Sequence, residues 1–354
     1  MSGEAVVATP EEASRLEHGA AIILDPLRDF LDQAGLGAGE LEVEELGGGH
    51  SNLTFLLSRG EERFVLRRPP RGDLAASAND VLREARILAA MQETSVPVPR
   101  ILARCEDPAL IGAPFFVMSY VPGAIVNDRL PPALDRPEVP ARIAEEAMKT
   151  LVEIHAADLE ASGLEAFGRP SGYLERQLRR FGSLLEANAT RPLPDLELVA
   201  DWLAANRPPS SRTTFVHGDF RLGNLLFAAD LGVAGVLDWE MATVGDPLAD
   251  LGYMTAMWSE QTDAENPMFA LSRLTCGAGF PGRADLARAY VELTGVDVDA
   301  LGWYQVLALW KAAIFLEGSY RRFSSGASGD AYFATLGEGV PALARTAREW
   351  TTRP

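Results

Sequence analysis

Residues 217–224 read HGDFRLGN, and 14 positions after Asn224 the strand-like segment VAGVLDW carries Asp238. Asp219 and Asn224 are separated by four residues, the spacing of a catalytic loop in which the Asp takes a hydroxyl proton and the Asn holds a metal ion. A second metal-binding Asp on a following strand completes the set that phosphoryl transfer requires. HGD alone would often arise by chance, whereas the three residues at these spacings favour a phosphoryl-transfer site over a polar turn in an unrelated fold.

The composition limits the class of protein. With 354 residues, of which 47% are apolar, the chain is long enough for one large domain or for two lobes with their own cores. The formal net charge of −18 would repel a phosphate backbone and argues against a nucleic-acid partner. Cys105 and Cys276 lie far apart without CxxC spacing, and the four histidines do not form a familiar zinc pattern. No run approaches about 20 apolar residues and no signal-peptide pattern opens the chain, so we expect a soluble cytoplasmic protein with no membrane partner.

Lysine is rare in this sequence. Lys149 and Lys311 are the two lysines, against thirty arginines, and neither lysine follows a glycine. The GxxxxGK[ST] phosphate-binding loop is therefore absent from the sequence. A bound nucleotide would have to be held by other groups.

The hydrophobic pattern changes along the chain. Residues 12–34 carry apolar positions at helical spacing, residues 41–68 read as three antiparallel strands, and residues 78–93 form an amphipathic helix. The run APFFVMSYVPG at 113–123 reads as a buried strand that ends in a Pro-Gly linker. A β-rich part thus precedes the linker.

The remainder of the chain is mainly helical in pattern. Helices are predicted at 138–158, 172–189, 195–206, 284–295, 299–323 and 331–350, and strands at 213–216, 225–227 and 233–237. We therefore predict an α+β fold with a β-rich lobe at residues 1–121 and a larger, mainly helical lobe at residues 122–354.

The stretches FVHGDFRLGNLLF (215–227) and VLDWEMATVGDPLADLGYM (236–254) resemble the aminoglycoside phosphotransferase and choline kinase superfamily. They are most similar to a branch whose members are joined to, or encoded near, acyl-CoA dehydrogenases. The resemblance runs from about Leu46 to the end of the chain. It implies a protein-kinase-like fold of two lobes, ATP and Mg²⁺ as cofactors, a small-molecule hydroxyl acceptor and a functional link to acyl-CoA dehydrogenases.

The resemblance also assigns roles around the opening motif. Asp219 would be the catalytic base, Asn224 and Asp238 would bind Mg²⁺, and His217 would orient the loop. Arg221, two residues after the base, would offset charge on the transferring phosphoryl group.

The β-rich lobe contains candidate nucleotide-binding residues. GGGHSNLTF (47–55) lies between two strands, where a Gly-rich turn lets backbone N–H groups approach phosphates and Ser51 and Asn52 could donate further hydrogen bonds. A tight hairpin turn explains the three glycines equally well. In the strand FVLRR, Arg67 stands where the family has a phosphate-binding Lys, and Glu84 is its expected helix partner. The alternative for Glu84 is a solvated charge on the helix face.

Further residues have candidate roles, some of them with a second interpretation. Met118 and Tyr120 lie where an interlobe hinge would contact adenine, although a buried strand explains them as well. The resemblance implies that Asp250 braces the catalytic loop. Glu240 could reach a second metal ion through water or be a surface carboxylate. His155, on a predicted helix beside apolar neighbours, is expected to be structural.

A long helix is predicted late in the chain, at LALWKAAIFLEGSYRRF (307–323). Its apolar stripe is expected in the core and comprises Leu307, Trp310, Ile314 and Phe315. Lys311, Arg321 and Arg322 collect positive charge in an acidic protein and could bind an anionic acceptor such as an acyl-CoA.

The pattern predicts an ATP- and Mg²⁺-dependent small-molecule kinase, and the acceptor is left open. Cationic aminoglycosides or amino alcohols would suit an acidic cleft, whereas the branch resemblance points to a hydroxyacyl compound. A nucleotide-binding regulator without transfer activity is one alternative, because the usual Lys is missing. A protein kinase is another, although HGD replaces HRD and no APE segment follows Asp238. No flavin-binding pattern supports an acyl-CoA dehydrogenase.

Overall fold

The computed structural model describes residues 6–16, 19–47, 52–70, 80–210, 212–263, 266–326 and 332–353. The chain divides into two compact units. The first contains residues 1–93, 97–122 and 235–240, and the second contains residues 94–96, 123–234 and 241–354. The segment 235–240 carries Asp238, so this candidate metal ligand belongs to the same unit as the β-rich sequence.

The first unit is built on an antiparallel sheet. Its elements are β1 (Val6–Val7), α1 (Pro10–Ala13), β2 (Ile22–Ile23), α2 (Leu24–Gln33), β3 (Glu42–Glu45), β4 (Leu53–Arg59), β5 (Glu62–Arg68), α3 (Val81–Met91), β6 (Ile101–Cys105) and β7 (Phe115–Ser119). The five-stranded sheet has the order β3-β4-β5-β7-β6. Arg59 pairs with Glu62 across a two-residue turn in which Gly60 has a φ of 58°, a conformation that glycine adopts without steric cost.

The core of this unit lies between the sheet and the leading segment. Its most buried side chains are Ile22, Leu27, Leu31, Phe55, Leu57, Leu66, Phe115 and Val117. Phe30 on α2 contacts Phe115 on β7 edge to face, with ring centroids 5.1 Å apart. Residues 12–34, whose apolar positions have helical spacing, do not form one helix: α1 ends at Ala13, β2 follows, and α2 begins at Leu24. Pro26 lies in the first turn of α2, where the missing N–H removes no helical hydrogen bond.

The second unit is mainly helical. Its elements are β8 (Ala124–Ile125), α4 (Val139–Ala156), α5 (Tyr173–Asn188), α6 (Pro194–Ala205), β9 (Thr214–Val216), β10 (Leu225–Phe227), β11 (Val233–Val236, which ends in the first unit), β12 (Thr243–Gly245), α7 (Leu248–Ala256), α8 (Arg283–Thr294), α9 (Leu301–Ser324) and α10 (Tyr332–Trp350). The six predicted helices agree with the structure to within two residues at each end. The α+β, protein-kinase-like class is confirmed.

Helix α9 forms the centre of the second unit. Leu307, Trp310 and Ile314 are buried as predicted, and the indole N–H of Trp310 donates to the carbonyl oxygen of Leu196, 3.0 Å away. Phe315 was expected in this stripe but is 47% exposed, because it lies at the border of the packed face; its ring is tilted against that of Phe181 on α5, with centroids 5.7 Å apart. Among the described helices, none is long and apolar enough to cross a membrane.

Candidate active site

The HGD stretch forms a tight turn after β9. Gly218 has a φ of 85°, and a Cβ added there would lie 2.7 Å from the carbonyl oxygen of Met241. Both the conformation and the space therefore require glycine. The chain then enters a short 3₁₀ helix at Leu222–Asn224 and continues into β10.

Asp250, in the first turn of α7, holds the HGD turn through hydrogen bonds. Its Oδ2 accepts a hydrogen bond from the His217 backbone N–H at 2.6 Å, and its Oδ1 accepts one from the Gly218 N–H at 2.7 Å. Asp250 and His217 are fully buried. A carboxylate that accepts two backbone N–H groups fixes the direction of the chain immediately before Asp219.

A histidine and a tyrosine extend the network behind Asp250. His155 Nε2 lies 3.3 Å from Asp250 Oδ2, and His155 Nδ1 lies 2.8 Å from the hydroxyl oxygen of Tyr290. Burial opposes ionisation of Asp250, but the hydrogen bond from His155, the neighbouring His217 and the Gly218 N–H together lower the pKa of Asp250 below its usual value. His155 thus has the structural role expected for it, at the catalytic loop itself.

Asp219 and Asn224 meet at the surface of the loop. The Nδ2 of Asn224 donates to the backbone oxygen and to Oδ2 of Asp219, each at 2.8 Å. The Asp219 N–H points to His217 Nδ1 at 3.2 Å. These bonds hold the Asp219 carboxylate in one orientation and leave the Asn224 amide oxygen available as a ligand for a hard cation.

Arg221 lies beside the same carboxylate. Its Nε is 3.9 Å from Asp219 Oδ2, and its Nη1 donates to Asn127 Oδ1 at 3.3 Å. A small cavity adjoins Arg221 and is lined by Val126, Asn127, Leu222, Gly223, Met254, Met257, Trp258 and Thr275. Its wall combines apolar side chains, such as Met254 and Trp258, with the polar side chains of Asn127 and Thr275.

Arg67 organises a separate group of charges in the first unit. Its Nε lies 2.9 Å from Glu84 Oε2, and its Nη2 lies 2.5 Å from Asp238 Oδ1 and 3.7 Å from Glu240 Oε2. The Nε–Oε2 contact is a close ion pair, but its direction does not satisfy a hydrogen bond. Three carboxylates therefore surround one guanidinium, with Glu84 on α3 and the other two after β11.

Burial and the neighbouring charges together shift the pKa values of Arg67 and Glu84. Burial alone would lower the pKa of Arg67, but Glu84, Asp238 and Glu240 outweigh it and raise that pKa. Burial also raises the pKa of Glu84, which is 2% exposed, and the Arg67 charge offsets part of this rise. Arg67 is therefore the fixed positive charge that allows these carboxylates to lie together.

Asp238 has a backbone conformation that is rare for a residue with a side chain. Its φ is 67°, in the left-handed region, which Asp tolerates better than most residues but at a cost of about 1 kcal/mol or more. The turn directs its carboxylate to Arg67. Such strain is often found at functional positions.

Asn52 links the start of β4 to this group. Its Nδ2 donates to Glu240 Oε2 at 2.9 Å, while its Oδ1 is buried and, within the described part of the chain, has no hydrogen-bond partner. Of the two interpretations of Glu240, neither included these partners: it contacts both Asn52 and Arg67. Ser51 lies outside the described residues.

The two expected hinge residues lie at the end of β7. Met118 is buried in the sheet, opposite Val65 of β5. Tyr120 follows the strand, is partly exposed, and has the guanidinium carbon of Arg63 4.1 Å from its ring centroid.

Asn224 and Asp238 are the two residues expected from the sequence to hold a metal ion. Among the described residues, no group of three or more His, Cys, Asp or Glu side chains is arranged to hold one. Asn224 and Asp238 offer amide and carboxylate oxygen, the donor types that Mg²⁺ prefers, and Mg²⁺ in nucleotide sites is usually completed by phosphate oxygens and water. The donor set fits Mg²⁺ that arrives with a nucleotide.

Three of the contacts described above were not anticipated. Asn127 lies far from the motif in sequence and gives no signal of its contact with Arg221. Tyr290, the hydrogen-bond partner of His155, reads as an ordinary apolar position of α8. Asn52 was expected at the phosphates, with no sign that Glu240 would bind it.

Residues 42–287 match the sequence pattern of the phosphotransferase enzyme family, APH. The match covers well over half of the chain. The protein belongs to this phosphotransferase family.

The curated relatives indicate which branch of the phosphotransferase family this domain resembles. It is 33% identical over 317 residues to acyl-CoA dehydrogenase family member 10 of Mus musculus, covering 89% of this chain and 30% of that protein. The chain spans between 30% and 43% of the length of the first curated relatives it matches. The resemblance to an acyl-CoA dehydrogenase-associated branch is confirmed at the level of the domain.

Solved structures confirm the fold. A protein of Ralstonia eutropha JMP134, named provisionally as an aminoglycoside phosphotransferase, is 29% identical with a TM-score of 0.77, covering 92% of this chain and 97% of that one. Aminoglycoside phosphotransferase APH(4)-Ia, solved with AMP-PNP and hygromycin B, is 16% identical with a TM-score of 0.61, covering 93% of this chain and 100% of that one. The second likeness concerns the fold alone.

Proposed function

We propose that this phosphotransferase transfers the γ-phosphoryl group of ATP to a hydroxyl group of a small-molecule acceptor, with Mg²⁺ as cofactor. The observation that carries the proposal is the Asp219 carboxylate, held by Asn224 on a turn that Asp250 anchors through two backbone N–H groups. This loop presents a carboxylate of fixed orientation, which an in-line transfer requires of its base.

The transfer balances with the groups present. The acceptor oxygen forms a bond to the γ-phosphorus, and the bond from that phosphorus to the β,γ-bridging oxygen breaks, so that ADP leaves with the electron pair. Asp219 takes the hydroxyl proton as the new bond forms. Arg221, 3.9 Å from Asp219, would offset charge on the phosphoryl oxygens.

Mg²⁺, when bound, would neutralise the phosphate charge and align the γ-phosphoryl group. Asn224 and Asp238 would hold it. Asp238 already contacts Arg67 through one oxygen, which leaves its second oxygen for a cation. Arg67 would then bind phosphate oxygens in place of the family's lysine, with Glu84 fixing its side chain.

The nucleotide-binding residues follow from the first unit. The unpaired oxygen of Asn52 would be satisfied by a water or ligand group near the phosphates, and Ser51 would add a donor there. Met118 and Tyr120, at the end of β7, would contact the adenine ring.

A hydroxyacyl compound is the acceptor we favour. The mouse relative is named for acyl-CoA dehydrogenases, which suggests chemistry on acyl groups. The apolar residues beside Arg221, which include Met254, Met257 and Trp258, support an acceptor with an apolar part.

Cys105 and Cys276 are free thiols, consistent with a cytoplasmic setting.

ADP release from Mg-ATP tests the proposal across aminoglycosides, choline-like amines, sugars and 3- and 4-hydroxyacyl-CoAs. We expect turnover with one class, and we expect Asp219→Asn to lower kcat about 10²- to 10⁴-fold while leaving the Kd for ATP within about threefold. Asp201→Asn, at an exposed position of α6, is the matched control and should retain full activity.

Two results would contradict the assignment. Undiminished turnover in Asp219→Asn would exclude its role as the base. ATP binding without turnover on any acceptor would favour the alternative of a nucleotide-binding regulator, which the replacement of the usual lysine by Arg67 allows.

A further inference from the structure

The chain segment after β8 lies against the catalytic loop. β8 pairs antiparallel with β10, the strand that continues directly from this loop, so that Ile125 is opposite Leu226. Asn127 comes two residues after Ile125, and its Oδ1 accepts a hydrogen bond from Arg221 Nη1 at 3.3 Å. The pairing of the two strands therefore fixes Asn127 beside Arg221, and the two residues are called the Arg221–Asn127 pair.

Gly223 provides the space for the Arg221–Asn127 pair. A Cβ added at Gly223 would lie 2.5 Å from Arg221 Nη1 and 2.8 Å from Asn127 Oδ1. The backbone of Gly223 is outside the left-handed region, so its conformation alone does not require glycine. The two side chains that lie over Gly223 are thus the reason that a larger residue does not fit.

The contact also fixes the direction of the Asn127 amide. A guanidinium group only donates hydrogen bonds, so Asn127 must turn its oxygen to Arg221 and its NH₂ group away from it. Among the described residues, Asn127 makes no second hydrogen bond. The two N–H groups of its amide are therefore available to a ligand.

The cavity beside the pair offers mainly donors on its polar side. Arg221 and Asn127 both line it, and within the described part of the chain no carboxylate does. Thr275, the third polar side chain of the wall, already donates its hydroxyl proton to the Ser259 carbonyl oxygen at 2.9 Å. The cavity measures about 30 Å³, which is room for a group as small as a carboxyl and not for a whole acceptor.

We propose that the Arg221–Asn127 pair binds a carbonyl or carboxylate oxygen of the acceptor, with Asn127 as a donor and as the residue that positions Arg221. The inference rests on the proposed function, because Arg221 Nε lies 3.9 Å from Oδ2 of the proposed base Asp219. An acceptor whose hydroxyl meets Asp219 would bring its neighbouring carbon atoms to the pair. A guanidinium has five N–H donors, so this contact leaves others for the phosphoryl group.

The pair thereby selects among the acceptor classes. A carbonyl or carboxylate oxygen accepts from both donors, and a guanidinium matches a carboxylate in shape and charge. An ammonium group finds no acceptor at the pair and is repelled by the charge of Arg221. Hydroxyacyl compounds are thus matched, whereas aminoglycosides and amino alcohols are disfavoured.

Binding of four matched probes to the native protein tests the pair without turnover. The probes share an alkyl chain with a hydroxyl group at the same carbon: 3-hydroxyoctanoate is a carboxylate, its methyl ester has a neutral carbonyl, 1,3-octanediol has neither, and 1-amino-3-octanol is a cation. Calorimetry gives each Kd, and nitrogen-15 NMR follows the side-chain amide of Asn127. We expect the carboxylate or the ester, or both, to bind at least about tenfold more tightly than the diol and the amine and to shift the Asn127 signals.

Three outcomes of this titration would overturn the proposal. The first is a diol or amine that binds as tightly as both carbonyl probes. The second is tight binding of a carbonyl probe that leaves the Asn127 amide signals in place. The third is that no probe binds. A preference for the carboxylate over the ester, or the reverse, distinguishes the two sources of the bound oxygen.

Substitutions separate recognition from a merely structural role. Asn127→Leu should remove the preference for the carbonyl probes, and Gly223→Ala should do the same because its Cβ displaces the flexible end of Arg221. Asn206→Leu, at the exposed end of α6, is the matched control and should keep the preference. Equal weakening of all four probes in Asn127→Leu would show a structural role only and would refute the proposal.

The conservative variant and a double variant test the positioning of Arg221. Asn127→Asp keeps an oxygen for Arg221 but loses the N–H donors, so it should bind the carboxylate more weakly than the ester. In an Arg221→Met background, Asn127→Leu should change the Kd of the ester less than about threefold, since the two residues act together. A full, independent loss from each substitution would exclude positioning.

Kinetics distinguishes failure of this inference from failure of the proposed function. With a carbonyl-bearing acceptor that is turned over, Asn127→Leu should raise KM at least about tenfold, whereas Asp219→Asn acts on kcat. Full turnover by Asp219→Asn would contradict the proposed function, while the probe preference would still decide the role of the Arg221–Asn127 pair. An unchanged KM in Asn127→Leu would overturn the inference and leave the proposed function standing.

Discussion

Replacement of Asp250 by Asn tests how the catalytic loop is held. The substitution preserves the shape of the side chain but replaces one carboxylate oxygen by an NH₂ group. In the native protein each oxygen accepts a backbone N–H, from His217 at 2.6 Å and from Gly218 at 2.7 Å. In Asp250→Asn, one of these donors would face another donor, and the charge that His155 stabilises would be lost.

The magnitude follows from these contacts. A hydrogen bond to a charged group contributes about 1.5–3 kcal/mol, and a buried donor left unsatisfied costs about 1–3 kcal/mol. Because Asp250 is fully buried, water cannot replace the lost partner. We expect Asp250→Asn to lower the free energy of unfolding of the second unit by about 3–5 kcal/mol.

Urea unfolding followed by tryptophan fluorescence is a suitable assay, since all the tryptophans except Trp239 lie in the second unit. Hydrogen exchange at the His217 and Gly218 amides gives a local measurement, and both should exchange faster in the variant. Asp195→Asn, which removes a surface ion pair of 2.8 Å with Arg348, is the control and should cost about 1 kcal/mol or less.

The pH dependence provides a second check. The folded-state pKa of Asp250 is below its unfolded value, so its ionised form contributes stability above about pH 4, the unfolded pKa. This stability is lost as the pH falls through the folded pKa. The difference between wild type and Asp250→Asn should therefore be constant from pH 7 to 5 and shrink below pH 4 to near its neutral-side-chain value. A loss of less than about 1 kcal/mol at pH 7, or a difference that grows on acidification, would refute the reasoning.

Two further substitutions have defined outcomes. Gly218→Ala places a Cβ 2.7 Å from the Met241 oxygen at a φ of 85°. We expect the variant to lose at least about 2 kcal/mol of unfolding free energy and most of the ADP release. A fully active, equally stable variant would show that the turn adapts to the added Cβ. Arg67→Met leaves the buried Glu84 without its cation. It should lower the free energy of unfolding of the first unit by about 3–5 kcal/mol and weaken ATP binding measured by calorimetry. The control Arg63→Met, at the Tyr120 ring, should lower the free energy of unfolding by about 1 kcal/mol or less. Unchanged ATP affinity in Arg67→Met would exclude its phosphate-binding role.

The helices of the second unit were predictable because each buries one stripe. Apolar positions at helical spacing defined six of them, α4, α5, α6, α8, α9 and α10, to within two residues at each end. The strands β1, β2, β6, β8 and β12 were not predicted. Of these, β1, β2 and β8 have two residues each, too few to show a period of two. Phe315 was misplaced because periodicity gives a face of the helix and not the neighbours that cover it.

The contact between Asp219 and Asn224 was predictable for a different reason: the two residues are close in sequence. Asp219 and Asn224 are five residues apart, and one turn of backbone brings the Asn amide 2.8 Å from the Asp carboxylate. The sequence shows a glycine at position 218, but it does not show that the nearby Met241 carbonyl oxygen leaves no room for a side chain there.

The sequence by itself determined the types of residue, their local spacing and the family: an Asp and an Asn in one loop, an Asp after a strand, and an Arg where a Lys is usual. Residue types and local spacings can be determined in this way because they depend only on residues close together along the chain. Only the tertiary structure decided which distant groups meet, such as Glu240 with Asn52, 188 residues apart, and Tyr290 with His155, 135 residues apart. Such pairs are selected by how helices and strands pack, and a single polar side chain far along the chain carries no periodic signal of its partner.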